Sequence, residues 1–380
     1  MGLTLPQRLD LDRLCKEYNI VFIDELPPNI RPVELGPVFN AIDDIKRITF
    51  MSYRNTGNGQ SPLGAALRHA ELKARTYNLV EAARDCVARI EETWRLDCEP
   101  LALQRLRSDA TCVGCRQSVQ RPEIEEILAS TAFMDERLQR LQGEGDRCSC
   151  PPFTRAIDAN RRAGPQRIFI GRASEQVIHA PSVAERLPRK SRPDRVYGLR
   201  QTPDLTQAFL GNPHMQSLFA STAHSPIGKP LLFPFLVVEA KGSKASDDWQ
   251  SICLQTAFPI YTFLSLQQNL KAAVPQPTRL TSTPLVWFIM SRGEDWRVYL
   301  AYNTTTCGGS LHADATHVVR VWTGSITNLD SALQLLLIVE YLTDWARDVY
   351  RAAVLADVES LAAPGIKPEP RESTMSPEPA

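Results

Sequence analysis

The first 150 residues show mainly the spacing of apolar side chains that is typical of α-helices. Ser61-Pro62 suits the start of a helix, and apolar residues then recur at helical spacing as far as about residue 94. A second helix is predicted over 122–141. Residues 151–165 are rich in Arg, Pro and Ala, which is typical of a linker. We therefore expect a mainly helical N-terminal lobe over 1–150, followed by this linker.

From about residue 166 the pattern alternates between strand-like and helix-like segments. The run Leu231–Lys241 is apolar almost throughout, which predicts a central strand buried on both faces. The other predicted elements are strands over 195–199, 285–291, 297–302 and 317–322, and helices over 175–187, 246–270 and about 328–361. This pattern predicts an α/β fold with a mixed α+β sheet over 166–361. Residues 362–380 are rich in Pro, lack aromatic side chains and are expected to be disordered.

The composition is that of a globular protein. Of 380 residues, 43 are Lys or Arg, 43 are Asp or Glu and 43% are hydrophobic, so the formal net charge is zero. Zero net charge argues against a protein that coats nucleic acid indiscriminately. No apolar run approaches the ~20 residues of a membrane-spanning helix, and the N-terminus lacks the pattern of a signal peptide. We expect an intracellular protein of the nucleus or cytoplasm, neither secreted nor membrane-bound. The sequence does not indicate an oligomeric state.

Three ionisable residues of the C-terminal half form the most informative group. Glu239 and Lys241 stand two residues apart at the end of the apolar strand, so their side chains leave the same face. Two charges at the end of a buried strand are unusual, because desolvating either one alone is costly. Asp194, on a neighbouring predicted strand, adds a second carboxylate, and Glu175 can add a third from the helix predicted before it.

This set of residues suits the metal-dependent hydrolysis of a phosphodiester. Asp194 and Glu239 offer the hard oxygen ligands that Mg²⁺ or Mn²⁺ requires. The ion would activate a water molecule and offset charge on the phosphate. Lys241 is a compact cation that can orient the attacking water. The three residues therefore predict a hydrolytic site.

The sequence around these residues resembles the PD-(D/E)xK nuclease superfamily. The match lies in Pro193-Asp194 and Glu239-Ala240-Lys241, and the longer segments around both are similar to fungal proteins with a nuclease-like domain of this type. The resemblance covers about residues 166–361 and implies a restriction-endonuclease-like core of helix, strands, helix and strand. It also implies that the motif Asp and Glu bind Mg²⁺, that the motif Lys assists the attacking water, and that Glu175 matches the acid of the first helix.

One departure from the superfamily concerns the helix after the motif strand. Many members carry Gln and Tyr four residues apart there, whereas here Gln255 is followed four residues later by Pro259. The RecB-like subclass is therefore not indicated, and Gln255 is a minor candidate.

Two other interpretations of the three residues stay open at this point. Charges are ordinary at strand ends, so Glu239 and Lys241 can form a surface ion pair while Pro193-Asp194 forms a turn. A nuclease fold can also persist as a catalytically silent module that binds nucleic acid or protein.

The local charge favours nucleic acid as the partner, and DNA is the nucleic acid that we expect. Residues 155–200 hold eleven Arg or Lys against four Asp or Glu. Cations clustered around a metal-binding acid attract a polyphosphate backbone. A solvated basic loop or a weak nuclear import signal explains the same charge without a substrate.

Four of the nine cysteines form two closely spaced pairs. Cys112 and Cys115 make a CxxC, and Cys148 and Cys150 make a CxC after the second predicted helix. Four thiolates suit a tetrahedral structural Zn²⁺ that would clip this helix at both ends. Unligated thiols are the alternative. The other five cysteines are expected to be packing residues.

Overall fold

The computed structural model describes residues 3–53, 62–87, 89–107, 169–173, 176–200, 231–242, 248–274, 282–304 and 315–362. The α-helices in these stretches are α1 Leu5–Glu17, α2 Gly36–Lys46, α3 Pro62–Cys86, α4 Glu91–Asp97, α5 Glu99–Ala102, α6 Gln104–Arg107, α7 Pro181–Ala184, α8 Trp249–Ala273, α9 Leu329–Trp345 and α10 Arg351–Ala362. A π-helical turn over Ala346–Tyr350 joins the last two, and 3₁₀ turns cover Pro28–Ile30 and Val33–Leu35. The strands are β1 Ile20–Ile23, β2 Phe169–Ala173, β3 Arg195–Arg200, β4 Leu231–Lys241, β5 Val286–Arg292, β6 Asp295–Thr304 and β7 Ala315–Ser325.

The strands form one seven-stranded mixed sheet in the order β1-β7-β6-β5-β4-β3-β2. Two neighbouring pairs are parallel, β1 with β7 and β4 with β5, and the other neighbours are antiparallel. The parallel pair β4–β5 requires a crossover, and α8 supplies it. The mixed α+β sheet predicted from the sequence is therefore confirmed.

The sheet is buried on both faces. Alternate residues of β5 belong to different apolar clusters: Trp287 and Ile289 lie in one, and Phe288 and Met290 in the other. The first cluster includes side chains of α2–α6, α9 and α10, whereas the second includes those of α1, α7 and α8. Because the period of a strand is two residues, the two clusters cover opposite faces. The described part of the chain is a helix–sheet–helix arrangement.

Local signals in the sequence explain where several helices begin. Thr4 and Gln7 form a capping box at the start of α1. The Asp248 side chain accepts a hydrogen bond from the backbone N–H of Ser251 at the start of α8, and Asn328 caps α9 in the same way. Gly293 adopts φ 60° in the two-residue turn between β5 and β6, a conformation that glycine tolerates without steric cost.

A bulge interrupts the pairing of β3 with β4. Tyr197 is paired with Leu236 and Leu199 with Leu232, so Gly198 faces three residues of β4. One of the three is Pro234, which has no N–H to donate to a ladder. A β-carbon on Gly198 would stand 2.7 Å from the carbonyl oxygen of Leu232. The bulge thus accommodates a proline in a central strand and requires a glycine opposite it.

Buried side chains complete the hydrogen bonds of the bulge. Gln267 donates from Nε2 to the carbonyl oxygens of Pro234 and Leu285, both at 3.1 Å, and accepts from the N–H of Leu285 at 2.8 Å. The hydroxyl of Tyr350 donates to the carbonyl oxygen of Phe233 at 3.0 Å. The polar backbone atoms around the bulge are therefore partnered although they are buried.

The structure corrects two of the predicted helices. The helix predicted over 175–187 is wrong, since 176–180 are not helical and only Pro181–Ala184 form a helix. The helix predicted over 63–94 is two helices, α3 and α4, with a break between them. The predicted strands over 195–199, 231–241, 285–291, 297–302 and 317–322 are confirmed.

The N-terminal part of the chain contributes directly to the sheet and the core. The sequence pattern did not predict β1, which pairs with β7 through Ile20–Ile23. Leu35, Leu79 and Leu106 share an apolar cluster with residues of β4 and β5. The linker predicted over 151–165 and residues 363–380 of the predicted tail lie outside the described residues. No helix in the described stretches is both long and apolar enough to span a membrane.

Candidate active site

Asp194 and Glu239 lie side by side because β3 begins where β4 ends. Arg195 is paired with Val238, so the residue before Arg195 comes level with Glu239. The backbone N–H of Asp194 donates to Oε2 of Glu239 at 3.1 Å, and the N–H of Ala240 donates to Oδ2 of Asp194 at 2.8 Å. These hydrogen bonds link each carboxylate to the backbone beside the other.

Lys241 completes a strand-end cluster, by which we mean Asp194, Glu239 and Lys241. Its Nζ lies 2.7 Å from Oε1 of Glu239, as expected for side chains that leave one face of a strand. Glu239 and Lys241 are only 4% and 8% exposed. The interpretation of this pair as a surface ion pair is therefore wrong, because both charges are buried.

The electrostatics of the cluster are those of two carboxylates that share one ammonium. Burial, and then the negative charge of Asp194, raise the pKa of Glu239 to about 7, although Lys241 opposes the shift. Burial alone lowers the pKa of Lys241, but the carboxylates around it outweigh burial and hold that pKa above its ordinary value. Lys241 is therefore an ammonium at neutral pH, and the cluster holds negative charge that one cation offsets only in part.

A charged helix face covers this end of the sheet. It consists of Glu91, Arg95 and Glu99, which stand four residues apart along α4 and α5. Nη1 of Arg95 lies 3.2 Å from Oδ1 of Asp194. Oε1 of Glu99 lies 2.6 Å from Nε of Arg195. The helix face thus presents the cation Arg95 to Asp194 and the acid Glu99 to Arg195.

Glu91 brings a third carboxylate close to the cluster. Burial raises its pKa, the charge of Lys241 lowers it, and the charge of Asp194 raises it further. The backbone of Glu91 also lies against Gly242, the residue after Lys241. A β-carbon on Gly242 would stand 3.2 Å from the backbone nitrogen of Glu91. Glu91 therefore lies near the site and adds negative charge to it.

Glu91 and Arg95 are not among the site residues predicted from the sequence. The available signal was a Glu-x-x-x-Arg-x-x-x-Glu spacing over 91–99, which puts alternating charges on one helix face. Many solvated helices carry such spacing, and 95 residues separate Glu99 from Asp194 along the chain. The packing of α4 against β4 is what brings this helix face to the strand-end cluster.

A small cavity adjoins Glu239 on the side of α8. Its volume is about 20 Å³, enough for about one water molecule. Glu239, Gln255, Ser191 and Arg192 are among the residues that line it. Nε2 of Gln255 is buried without a hydrogen-bond partner in the described part of the protein. Gln255, the minor candidate, therefore adjoins the site.

The segment that leads into β3 carries exposed positive charge. Lys190 and Arg192 are exposed, and Arg189 is half-buried. Arg189 and Arg192 line the cavity beside Glu239. Part of the basic sequence over 155–200 therefore lies next to the strand-end cluster.

The remaining sequence-predicted ligands cannot be compared with the cluster. Glu175 lies outside the described residues, as do Cys112, Cys115, Cys148 and Cys150. Within the described residues, no group of three or more His, Cys, Asp and Glu side chains is arranged to hold one metal ion. Among the described free cysteines, Cys15, Cys86 and Cys98 are buried, as expected of packing residues, and Cys253 is half-buried against the apolar cluster of α1, α7 and α8. Cys307 lies outside the described residues.

The donor set at the strand ends nevertheless fits a hard divalent cation. Mg²⁺ is usually held by one or two carboxylates and keeps several water molecules. Asp194 and Glu239 supply two carboxylates, each on a neighbouring strand. Burial, and then the negative charge of Asp194, raise the pKa of Glu239, and a bound cation would favour its ionised form. The residues present therefore fit Mg²⁺ or Mn²⁺.

No protein-family model matches the chain, and no curated protein matches it.

Proposed function

We propose that the protein is a metal-dependent nuclease that hydrolyses phosphodiester bonds of nucleic acid, with DNA as the favoured substrate. The observation that carries the proposal is the hydrogen-bonded cluster of Asp194, Glu239 and Lys241 where β3 begins and β4 ends. The order of elements supports it as well, since antiparallel β2, β3 and β4 are followed by α8 and by a strand parallel to β4. That order is the strands, helix and strand implied by the resemblance to the PD-(D/E)xK superfamily, without the first helix predicted over 175–187.

The contacts of each residue suggest its role. Asp194 and Glu239 would hold Mg²⁺ or Mn²⁺, which lowers the pKa of a water molecule and offsets charge on the phosphate. Lys241 is protonated at neutral pH, so it orients the water as a hydrogen-bond donor and is not the base. As the water oxygen bonds to phosphorus, the bond from phosphorus to the leaving oxygen breaks. The water proton passes to solvent, and solvent protonates the leaving oxygen.

The surface charge beside the cluster supports a polyanionic substrate. Lys190 and Arg192 are exposed a few residues before Asp194. Exposed cations next to an acidic site attract a phosphate backbone and balance the negative charge of the carboxylates. Zero net charge for the whole chain is compatible with such a local site.

One observation favours the second candidate, a silent nuclease-like module that binds nucleic acid or protein. Each carboxylate oxygen of the pair already has a partner: Arg95 and the N–H of Ala240 for Asp194, and Lys241 and the N–H of Asp194 for Glu239. Contacts of this kind are also expected of a network that only stabilises the end of the sheet.

A nuclease assay with conservative variants tests the proposal. We expect the full chain to cleave single- or double-stranded DNA with Mg²⁺ or Mn²⁺ and to stop in chelator. Asp194→Asn and Lys241→Met should each lower the cleavage rate at least about a hundredfold, because each removes a charge that acts on the reacting phosphate or its metal. Cleavage of single- and double-stranded RNA, measured in parallel, tests the expected preference for DNA.

Exposed residues of the same types provide the controls. Asp44 is 74% exposed and Lys16 is 76% exposed, so Asp44→Asn and Lys16→Met should cleave like the wild type. Thermal melting of every variant separates loss of chemistry from loss of fold. Cleavage that survives both site substitutions would exclude this site. Binding of DNA without cleavage under any metal condition would favour the silent module.

A further inference from the structure

Arg95 holds an oxygen that the proposed metal ion would need. The carboxylate of Asp194 uses Oδ2 to accept from the backbone of β4, at 2.8 Å from the nitrogen of Ala240. Its other oxygen, Oδ1, lies 3.2 Å from Nη1 of Arg95. A divalent cation that binds Asp194 through Oδ1 therefore meets a guanidinium already in contact with that oxygen.

The position of Arg95 also suits a second anion. Its side chain is 27% exposed whereas that of Asp194 is 13% exposed, so the arginine is the more accessible of the two to a ligand from solvent. Guanidinium groups bind phosphate with two parallel hydrogen bonds. The exposed Lys190 and Arg192 lie in the segment just before Asp194, on the chain that a polyanion would contact.

The helix that carries Arg95 is anchored on both sides of it. The backbone of Glu91 lies against Gly242 at the end of β4, and Glu99 pairs with Arg195 at the start of β3. A change of partner by Arg95 therefore requires only rotation of its side chain, without movement of α4. A long cationic side chain on an anchored helix is suited to exchange between two anions.

We propose that Arg95 is an exchangeable counterion of the site: it competes with the divalent cation for Asp194, and once displaced it binds the phosphate of the substrate. This proposal rests on the proposed nuclease function. It makes α4, from the N-terminal part of the chain, a component of substrate binding. It also predicts opposite effects of one substitution on metal affinity and on cleavage, which a merely structural role of Arg95 does not.

The test compares Mn²⁺ binding, measured by titration calorimetry without substrate, with DNA cleavage at saturating Mn²⁺. Arg95→Gln keeps an uncharged hydrogen-bond donor on a shorter side chain and removes the positive charge. We expect it to bind Mn²⁺ about tenfold more tightly, because a repelling charge next to the ion is lost. We expect its kcat/KM for DNA to fall about tenfold or more, because the guanidinium that would bind a phosphate through two hydrogen bonds is lost.

Two further variants serve as controls. Arg95→Lys keeps the charge and should bind Mn²⁺ like the wild type while it loses part of the cleavage, since lysine lacks the planar fork. Arg47 is 77% exposed and pairs with Asp44, so Arg47→Gln should change neither measurement. Thermal melting confirms that each variant is folded.

The outcomes distinguish this inference from the proposed function. If the wild type binds Mn²⁺ and cleaves DNA but Arg95→Gln binds the ion equally or more weakly, the competition is wrong and the nuclease stands. If Arg95→Gln binds the ion more tightly and still cleaves at the wild-type rate, the phosphate role is wrong. A wild type that neither binds Mn²⁺ nor cleaves overturns the nuclease proposal and this one with it.

Discussion

At the scale of single residues, burial decides which charged groups of this protein can do chemistry. Glu239 is 4% exposed and lies beside a second carboxylate, so its pKa rises to about 7 from burial and from that negative charge. The residue types at the strand ends are visible in the sequence, but their environment is not.

His179 shows the effect of burial on a base outside the candidate site. Its Nδ1 lies 2.7 Å from Oγ1 of Thr262, and its Nε2 is buried without a partner in the described structure. Burial lowers the pKa of His179 from 6.5 to about 4. As the pH falls, the unfolded chain therefore binds a proton on this residue before the folded protein does. The stability that neutral His179 contributes is complete above about pH 6.5 and is lost as the pH falls toward 4.

We expect this loss in the free energy of unfolding. Between pH 7 and pH 4 the wild type should lose about 3 kcal/mol more than His179→Gln, which cannot take up the proton. Urea unfolding at a series of pH values measures both proteins, and titrating carboxylates cancel in the comparison. Equal losses in the two proteins would show that His179 does not titrate differently on folding.

At the scale of elements, the bulge between β3 and β4 positions the candidate site. The motif residues Asp194 and Glu239 lie at the same end of the two strands, and the bulge lies toward the other end. Without the bulge, pairing beyond Gly198 would shift relative to pairing at the motif. The register that joins Arg195 to Val238 therefore depends on a glycine and a proline that carry no chemistry themselves.

A glycine substitution tests the bulge. In Gly198→Ala the new β-carbon would stand 2.7 Å from the backbone oxygen of Leu232, so a strand must move. We expect a loss of roughly 1–3 kcal/mol in the free energy of unfolding. Gly36→Ala is the matched control, since nothing lies within 4 Å of its β-carbon and its backbone is helical. It should be neutral or stabilising by up to about 1 kcal/mol. Equal stabilities of the two variants in urea would contradict the close approach.

At the scale of the whole molecule, distant parts of the chain share one sheet and one core. β1 from the N-terminal part pairs with β7 from the C-terminal part, and α3 packs against α9. The charged helix face on α4 and α5 reaches the strand-end cluster from the same N-terminal part. The predicted division at residues 151–165 stays a prediction, and the described residues before it pack against those after it.

A truncated chain tests how far the C-terminal part folds alone. We expect the fragment 166–361 to lack a cooperative urea transition, because removing α2–α6 exposes one apolar face of the sheet. A chain that ends at residue 362, where α10 ends, serves as the control and should unfold like the full protein. A cooperative transition of the fragment with the stability of the full chain would show that residues 166–361 fold independently of residues 1–165.

Local patterns in the sequence determined the elements whose signals are local. The apolar run of β4, the strands β5, β6 and β7, and the caps of α8 and α9 follow from spacing and from the residues at their ends. The pairing of Glu239 with Lys241 follows equally from strand geometry, because residues two apart share a face. These features depend on neighbours within a few residues along the chain.

Tertiary structure alone decided the features that depend on distant residues. β1 is four residues long and is stabilised by its pairing with β7, nearly 300 residues away. Arg95 and Glu91 belong to the candidate site only because they lie next to the strand-end cluster, whose residues come about a hundred or more positions later in the chain. The predicted helix over 175–187 is different, because a local signal opposes it: Pro181 disfavours helix in the residue before it, and the short helix α7 begins at Pro181. The spacing of residues along the chain determines which side chains share one face of a helix or strand. The burial of that face, and the charges packed opposite it, arise only when the chain is folded.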